Sequence, residues 1–251
     1  MNMGHTKIRK VGFALCLLAG QLALGCTKGG PSGNMAGQRD TTARPGTTVA
    51  PTGQTYLALG DSYTIGQSVS EDNRYPVQTV ARLLALGDTV LAPEIIATTG
   101  WTTQNLLDAL QSSPPKLATY SRVTLLIGVN NQFQGLPLSQ YQTQFTELLQ
   151  MSIHWAGDTP RHVIVLSIPD YADSFYGQSR PDTAAISAGI DAFNAANLQL
   201  SRQYGVQYLD ITGLTRAAKG DSSLFAPDGL HYSGKEMALW AAGLVKLWPA
   251  Q

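Results

Sequence analysis

The chain has 251 residues with 17 basic and 17 acidic side chains, and 43% of its residues are hydrophobic. This length and apolar content suit one domain with a sizeable core. The sequence has no basic patch of the kind that binds nucleic acid, no residues at metal-ligand spacing and no nucleotide-binding glycine loop, so we expect no nucleic-acid partner, no metal and no cofactor.

The first 25 residues have the pattern of a signal peptide. Three basic residues near the N-terminus precede an uncharged run over 11–25, which is shorter than the roughly 20 residues that a membrane-spanning helix needs. The run ends at Cys26 in a pattern that resembles the bacterial lipobox, where cleavage leaves a lipid-bearing cysteine as the new N-terminus. Ala23 and Leu24 stand where a lipobox usually has Leu and a small residue, and cleavage of an ordinary secreted protein is the alternative.

This pattern predicts a lipoprotein anchored to the membrane of the bacterial cell envelope, on its periplasmic or surface side, or a secreted protein if Cys26 carries no lipid. Cys16 lies within the signal, so the mature chain would keep one thiol and could form no internal disulfide. After Cys26, the segment over 26–54 is rich in Gly, Pro and Thr and is predicted to be a flexible tether. Loss of residues 1–25 leaves 14 basic against 17 acidic residues, because it removes three basic and no acidic ones. The folded domain is predicted over 55–251, as a monomer.

Five short apolar runs alternate with helical patterns in the predicted domain. Runs that are nearly continuous in apolar residues are typical of strands covered on both faces. Tyr141 starts one helical pattern, with Ser139 as its predicted N-cap, and Ile186 starts another that ends at Gly205. Alternating β and α units predict an α/β fold, a three-layer α/β/α sandwich with a five-stranded parallel sheet. The runs are Tyr56–Leu59, Ile95–Thr98, Val123–Ile127, His162–Ile168 and Val206–Leu209.

The tripeptide Gly60-Asp61-Ser62 directly follows the first apolar run. A serine at the C-terminal end of a parallel strand faces the crevice where α/β sheets bind ligands, so Ser62 is a candidate nucleophile. Its candidate base is His231, because Asp228 lies three residues earlier on one loop turn and can hydrogen-bond Nδ1. Asp61 is predicted to fix the turn or to cap the next helix. The same tripeptide at 220–222 follows no apolar strand and is predicted to be a surface turn.

Four motifs follow one another at the predicted strand ends: Gly60-Asp61-Ser62-Tyr63, Gly100, Gly128-Val129-Asn130-Asn131 and Asp228-x-x-His231. In this order they resemble the blocks of GDSL, or SGNH, hydrolases, and the resemblance covers nearly the whole predicted domain. It implies a flavodoxin-like SGNH hydrolase fold and a serine ester hydrolase that forms an acyl-enzyme on Ser62. The implied oxyanion hole consists of the backbone N–H groups of Ser62 and Gly100 and the Asn130 side chain. Two positions depart from the family pattern, since Tyr63 replaces Leu and Asn131 replaces Asp.

The resemblance leaves the substrate open. It implies a lysophospholipase-like enzyme or a short-chain or acetyl esterase acting on a small-molecule, lipid or glycan ester, and the same site could serve an envelope acyltransferase or a carbohydrate deacetylase. The alternative from another class is a non-catalytic lipoprotein that binds glycan or lipid without turnover. Tyr63, Trp101 and Phe133 are candidate pocket residues, because aromatic side chains after strand ends can line an acyl or sugar subsite. They could equally cover the edge of the domain.

Overall fold

The structure is a computed structural model that describes residues 52–248. The predicted signal peptide over 1–25, Cys26 and the predicted tether as far as residue 51 lie outside the described residues. Five parallel strands form a sheet in the order β2-β1-β3-β4-β5. The strands are β1 (Tyr56–Gly60), β2 (Glu94–Ala97), β3 (Arg122–Leu126), β4 (Val163–Leu166) and β5 (Gln207–Leu209).

Helices connect the strands and flank the sheet. Those of the described residues are α1 (Ser62–Ile65), α2 (Tyr75–Ala85), α3 (Thr103–Ser112), α4 (Val129–Phe133), α5 (Leu138–Trp155), α6 (Phe175–Gln178), α7 (Thr183–Tyr204), α8 (Thr212–Ala217) and α9 (Gly234–Leu247). Short 3-10 turns lie at Glu71–Asn73, Pro160–His162, Tyr171–Asp173 and Ser222–Leu224.

β1 is an inner strand of the sheet, and it pairs with β2 on one side and with β3 on the other. Leu59 of β1 lies beside Ile96 of β2 and Leu125 of β3. Every residue of β1, β3 and β4 is buried, as expected for central strands covered on both faces. The strand positions predicted from the apolar runs are confirmed to within one residue at each end, except that the fourth run extends two residues beyond β4, to Ile168.

Side-chain contacts define the layer on each face. Tyr56 of β1 and Thr124 of β3 lie on one face, where their hydroxyl groups are 2.9 Å apart and where Tyr75 of α2 also approaches Thr124. The Tyr56 ring packs against Trp248 at the end of α9. Because side chains alternate along a strand, the neighbouring residues of β3 face the other way, where α5 packs on this strand and contacts α3 and α7. The predicted three-layer α/β/α sandwich is confirmed.

Two predicted helix ends have different outcomes. Gly205 ends α7 in the left-handed conformation, with φ 69°, as predicted. The prediction of Ser139 as an N-cap is wrong, because α5 begins at Leu138 and its N-cap is Pro137, two residues earlier, whose ring fixes φ at −59°. In the part of the chain described, none of the helices combines the length and apolarity that crossing a bilayer requires.

Candidate active site

The turn between β1 and α1 holds Ser62 at the C-terminal edge of the sheet. β1 ends at Gly60 and α1 begins at Ser62, which is 3% exposed. A Cβ atom on Gly60 would lie 2.1 Å from Thr64 Oγ1 and 2.4 Å from the Leu126 carbonyl oxygen. Because only glycine fits there, the strand can turn sharply and present the next residues to the crevice.

Asp61 caps the helix that begins with Ser62, as predicted. Its Oδ1 accepts the Tyr63 backbone N–H at 3.0 Å, while its Oδ2 is buried and has no hydrogen-bond partner among the described residues. Burial raises the pKa of Asp61 to about 7, although the hydrogen bond from Tyr63 acts in the opposite direction. A carboxyl group with one unpartnered buried oxygen therefore lies directly beside the candidate nucleophile.

The loop before α9 holds Asp228 and His231 in contact. His231 Nδ1 lies 2.8 Å from Asp228 Oδ2, and Asp228 Oδ1 accepts the backbone N–H groups of Leu230 and His231 at 2.9 Å each. Ser68 Oγ donates to Asp228 Oδ2 at 2.6 Å. Partial burial acts to raise the pKa of Asp228, but these hydrogen bonds outweigh it and hold the pKa at about 2. The ionised carboxylate can only accept a hydrogen bond, so Nδ1 of His231 carries the proton that it donates.

Two contacts bring the Ser62 turn to the Asp228–His231 loop. The first is the bond from Ser68, and the second is the ring of Tyr63, which lies 5.1 Å from the His231 ring. Tyr63 is 2% exposed and also packs against Tyr232 and Trp240. The expectation of Tyr63 as a candidate pocket residue is therefore corrected: its ring is buried in the core and contacts the His231 ring.

The two loops with the predicted oxyanion donors also meet. Gly100 follows β2 with φ 85° in open space, so its backbone conformation rather than crowding favours glycine. Asn130 lies in the first turn of α4, after Gly128 with φ 129°. The Asn130 side-chain amide donates to the backbone carbonyl of Trp101 at 2.9 Å, which joins it to the residue after Gly100.

The other aromatic candidates lie at the same edge of the sheet. Phe133 is 48% exposed and packs against Tyr171 and Tyr176 of the segment after β4. The Tyr176 backbone N–H donates to the Gly229 carbonyl oxygen, inside the Asp228–His231 loop. Trp101 is half-buried and borders a cavity of about 350 Å³ beside β2.

The remaining histidines and the second Gly-Asp-Ser tripeptide lie elsewhere. His154 is exposed at the end of α5 beside Asp158, and His162 lies in the turn before β4, at the opposite edge of the sheet from Ser62. Asp221 caps an exposed 3-10 turn, as predicted for a surface turn. Within residues 52–248, His, Cys, Asp and Glu side chains do not form a group of three that could hold a metal ion.

The sequence matches a family model along most of its length. The model of the GDSL-like Lipase/Acylhydrolase family matches residues 58–238, more than two thirds of the chain. The chain belongs to this family. It is therefore a carboxylic ester hydrolase of the GDSL, or SGNH, type, as the four motifs predicted. A comparison with curated proteins gives no significant match.

Solved GDSL-type structures share its fold. TesA superposes with a TM-score of 0.58 at 18% identity, over 77% of this chain and 99% of that chain. A single-residue variant of Axe2, an acetyl xylan esterase from Geobacillus stearothermophilus, gives 0.61 at 16%, over 79% and 96%. The psychrotrophic esterase EstA from Pseudoalteromonas sp. gives 0.57 at 20%, over 78% and 98%. At these identities the likeness establishes the common fold.

The structure gives a role to Asn131, which replaces the Asp usual in this GDSL family. Asn131 is fully buried, and its Oδ1 accepts the Thr103 backbone N–H at 3.0 Å while its Nδ2 donates to Thr103 Oγ1 at 2.7 Å. Asn131 therefore joins the start of α3 to α4 and does not point to substrate. Ser68, by contrast, is a residue of the candidate site that the sequence analysis did not predict. Its contact with Asp228 belongs to no motif, and the sequence carries no signal for it.

Proposed function

We propose that this GDSL-family hydrolase cleaves carboxylic esters through an acyl-enzyme on Ser62. His231 takes the proton of Ser62 Oγ as the oxygen attacks the ester carbonyl, and Asp228 orients the imidazole and balances its charge. His231 then gives the proton to the leaving alcohol. A water molecule, deprotonated by His231, attacks the acyl-enzyme and releases the acid and Ser62. The observation that carries this proposal is the 2.8 Å contact between His231 Nδ1 and the ionised Asp228 carboxylate.

The oxyanion of each tetrahedral intermediate is proposed to bind the backbone N–H groups of Ser62 and Gly100 and the Asn130 amide. The contact between Asn130 and the Trp101 carbonyl supports this arrangement, because it occupies one N–H of the amide and fixes the direction of the other. A neutral amide also stabilises the anion without adding a group that titrates.

The hydrolysis of a short p-nitrophenyl ester tests the mechanism. Ser62→Ala and His231→Ala are each expected to lower kcat by about 10³-fold or more. A serine hydrolase without its nucleophile or base keeps only the rate enhancement that comes from substrate binding and the oxyanion hole. Ser222→Ala is the matched control, since it alters the exposed Gly-Asp-Ser tripeptide and should leave kcat unchanged. If either of the first two variants kept most of the activity, the assignment would be wrong.

The substrate is proposed to be a lysophospholipid-like or a short-chain or acetyl ester. Support comes from the exposed Phe133 and from Tyr176, which lies beside Gly229, because such rings offer apolar faces to an acyl chain or a sugar. The structural relative Axe2 is described as an acetyl xylan esterase. A series of p-nitrophenyl esters of increasing acyl length, with lysophosphatidylcholine and acetylated xylan, distinguishes these classes.

Trp101 is proposed to line the acyl or alcohol subsite, since its carbonyl holds Asn130 and its neighbour is Gly100. Trp101→Ala is then expected to change the chain-length preference in that series. An unchanged preference would remove Trp101 from the subsite.

The N-terminal pattern supports a proposed place in the cell envelope, with a lipid on Cys26. In a bacterial host, Cys26→Ala should move the protein from the membrane fraction to the soluble fraction, whereas Cys16→Ala should leave it in the membrane fraction. A Cys26→Ala protein that stays in the membrane fraction would argue against the lipid anchor.

A further inference from the structure

The two residues that follow the end of α1 at Gly66 make contacts with three separate parts of the candidate site. Gly66 ends α1 with φ 72°, and the Gln67 backbone N–H donates to the Ser62 carbonyl oxygen at 2.9 Å. Ser68 comes next with φ 64°, a conformation that non-glycine residues rarely adopt. The chain after the candidate nucleophile therefore folds back tightly, which points the Gln67 and Ser68 side chains toward neighbouring loops.

Each of these side chains reaches a different loop. Ser68 Oγ donates to Asp228 Oδ2 at 2.6 Å, the same oxygen that His231 Nδ1 contacts. Gln67 Oε1 accepts the Thr99 hydroxyl at 2.5 Å. Thr99 directly precedes Gly100, so a short segment after Ser62 is bonded both to the acid of the site and to the loop that carries an oxyanion donor.

We propose that Gln67 and Ser68 form a positioning bridge that aligns the Asp228 carboxylate and the Gly100 loop with Ser62. The proposal rests on the function proposed above and adds two residues to it, neither of which touches the substrate. The bridge joins the segments that follow β1 and β2 to the loop before α9, and the order of the strands does not by itself fix the distances between these segments.

The contribution of Ser68 follows from how Asp228 is held. The backbone N–H groups of Leu230 and His231 fix Oδ1, while the partners of Oδ2 within residues 52–248 are the Ser68 hydroxyl and the His231 ring. The Asp228 side chain is 30% exposed, so without Ser68 water can compete for Oδ2 and the plane of the carboxylate is less well fixed. The Tyr63 ring also lies beside the pair, and burial raises the pKa of Tyr63 well above the usual value, so this side chain stays neutral.

The contribution of Gln67 concerns the oxyanion hole. Gly100 lies in open space with no side chain to anchor it, and Thr99 beside it is exposed. The hydrogen bond from Thr99 to Gln67 therefore restrains the loop close to Ser62. Stabilisation of an oxyanion depends on donors held in place before the charge develops, so loss of this restraint should lower kcat more than it raises KM.

The acid side of the bridge is tested with Ser68→Ala and Ser68→Gly. Both remove the hydroxyl, but glycine accepts the positive φ without strain. We expect both to lower kcat/KM by about 10- to 100-fold, as for loss of a hydrogen bond to a charged group. The pH dependence of kcat/KM should also change, because water in place of the Ser68 hydroxyl holds Asp228 Oδ2 less firmly against His231 Nδ1. If Ser68→Gly keeps the wild-type rate and pH profile, the bridge is refuted.

The oxyanion side is tested with Thr99→Val and Gln67→Met. Each should lower kcat by about 3- to 10-fold, the effect of one neutral hydrogen bond, with KM and the pH profile unchanged. The double variant should lose no more than either single variant, since both remove the same bond. Additive losses, or no loss at all, would overturn this side of the bridge.

Two controls separate the bridge from the proposed function. Ser112→Ala removes an exposed serine hydroxyl that bonds within its own helix and should change neither the rate nor the pH profile. Ser62→Ala tests the nucleophile itself. An inactive Ser62→Ala protein combined with fully active Ser68 and Thr99 variants would refute the bridge and leave the ester-hydrolase mechanism standing.

Discussion

Replacing Asp61 by Asn is expected to alter how the stability of the protein depends on pH. Asp61 is fully buried, its Oδ2 has no hydrogen-bond partner in the part of the chain that the structure describes, and burial raises its pKa to about 7 from an ordinary value of 3.8. At pH 5 to 6 the folded protein therefore keeps a proton on Asp61 that the unfolded chain has released. Because the unfolded state binds fewer protons, the free energy of unfolding falls as the pH rises through this window.

The size of the effect follows from the two pKa values. Each pH unit between about 3.8 and 7 costs about 1.4 kcal/mol, so ionisation of Asp61 destabilises the fold by about 4 kcal/mol by pH 8 relative to pH 4. Below pH 3.8 both states hold the proton, and above pH 7 neither does, so the contribution is constant outside the window. Asn keeps an acceptor for the Tyr63 N–H and cannot ionise, which removes this dependence.

Urea unfolding of the wild type and of Asp61→Asn between pH 4 and pH 8 measures the difference directly. The two proteins share all their other titratable groups, so the change with pH of the difference in unfolding free energy reports Asp61 alone. Asn also buries an amide N–H₂ without a partner, which shifts the difference by a constant amount. The variant should gain about 4 kcal/mol on the wild type from pH 4 to pH 8. A difference that does not change with pH would refute the reasoning.

Three further predictions concern stability and are measured by urea unfolding. Gly60→Ala should lower the unfolding free energy by about 2–4 kcal/mol, because the new Cβ would overlap Thr64 and Leu126. Gly213 lies in open space within α8, so the control Gly213→Ala should raise the unfolding free energy by up to about 1 kcal/mol. Equal effects of the two variants would contradict this prediction. Asn131→Ala should cost about 1–3 kcal/mol, since Thr103 loses its acceptor, and Asn131→Asp should cost less. Tyr63→Leu should cost about 1–3 kcal/mol, since a buried ring is lost; no loss would place Tyr63 outside the core.

Local patterns of the sequence predicted the strands because fully buried strands carry a strong signal. The runs at β1, β3 and β4 are nearly all apolar, and every residue in those strands is buried. The start of α5 was predicted less well, because Ser139 is a good cap by residue type but Pro137, two residues earlier, is the N-cap. The exact residue at which a helix begins is hard to predict when two nearby residues both favour a helix start.

The sequence predicts which residues are candidates for the site, but of their mutual contacts it predicts only the one between Asp228 and His231, which are close in sequence. Asp228 and His231 lie three residues apart, and their contact follows from the geometry of one loop. Tyr63 is a candidate pocket residue by sequence because it follows a strand end, yet its ring is buried in the core and contacts the His231 ring. Residue type and position at a strand end do not say whether a side chain points outward or inward.

The fold class, the order of the motifs and the pairing of Asp228 with His231 can all be read from the amino-acid sequence, because they depend on short-range patterns and on the fixed direction of parallel strands. The contact of Ser68 with Asp228 and that of Gln67 with Thr99 emerge only once the chain is folded, since they join residues 160 and 32 positions apart. Such contacts depend on how close loops from different parts of the chain come to one another in the folded domain. The local sequence pattern does not encode the distance between these loops, because the intervening chain is long and its path is set by the packing of the whole domain.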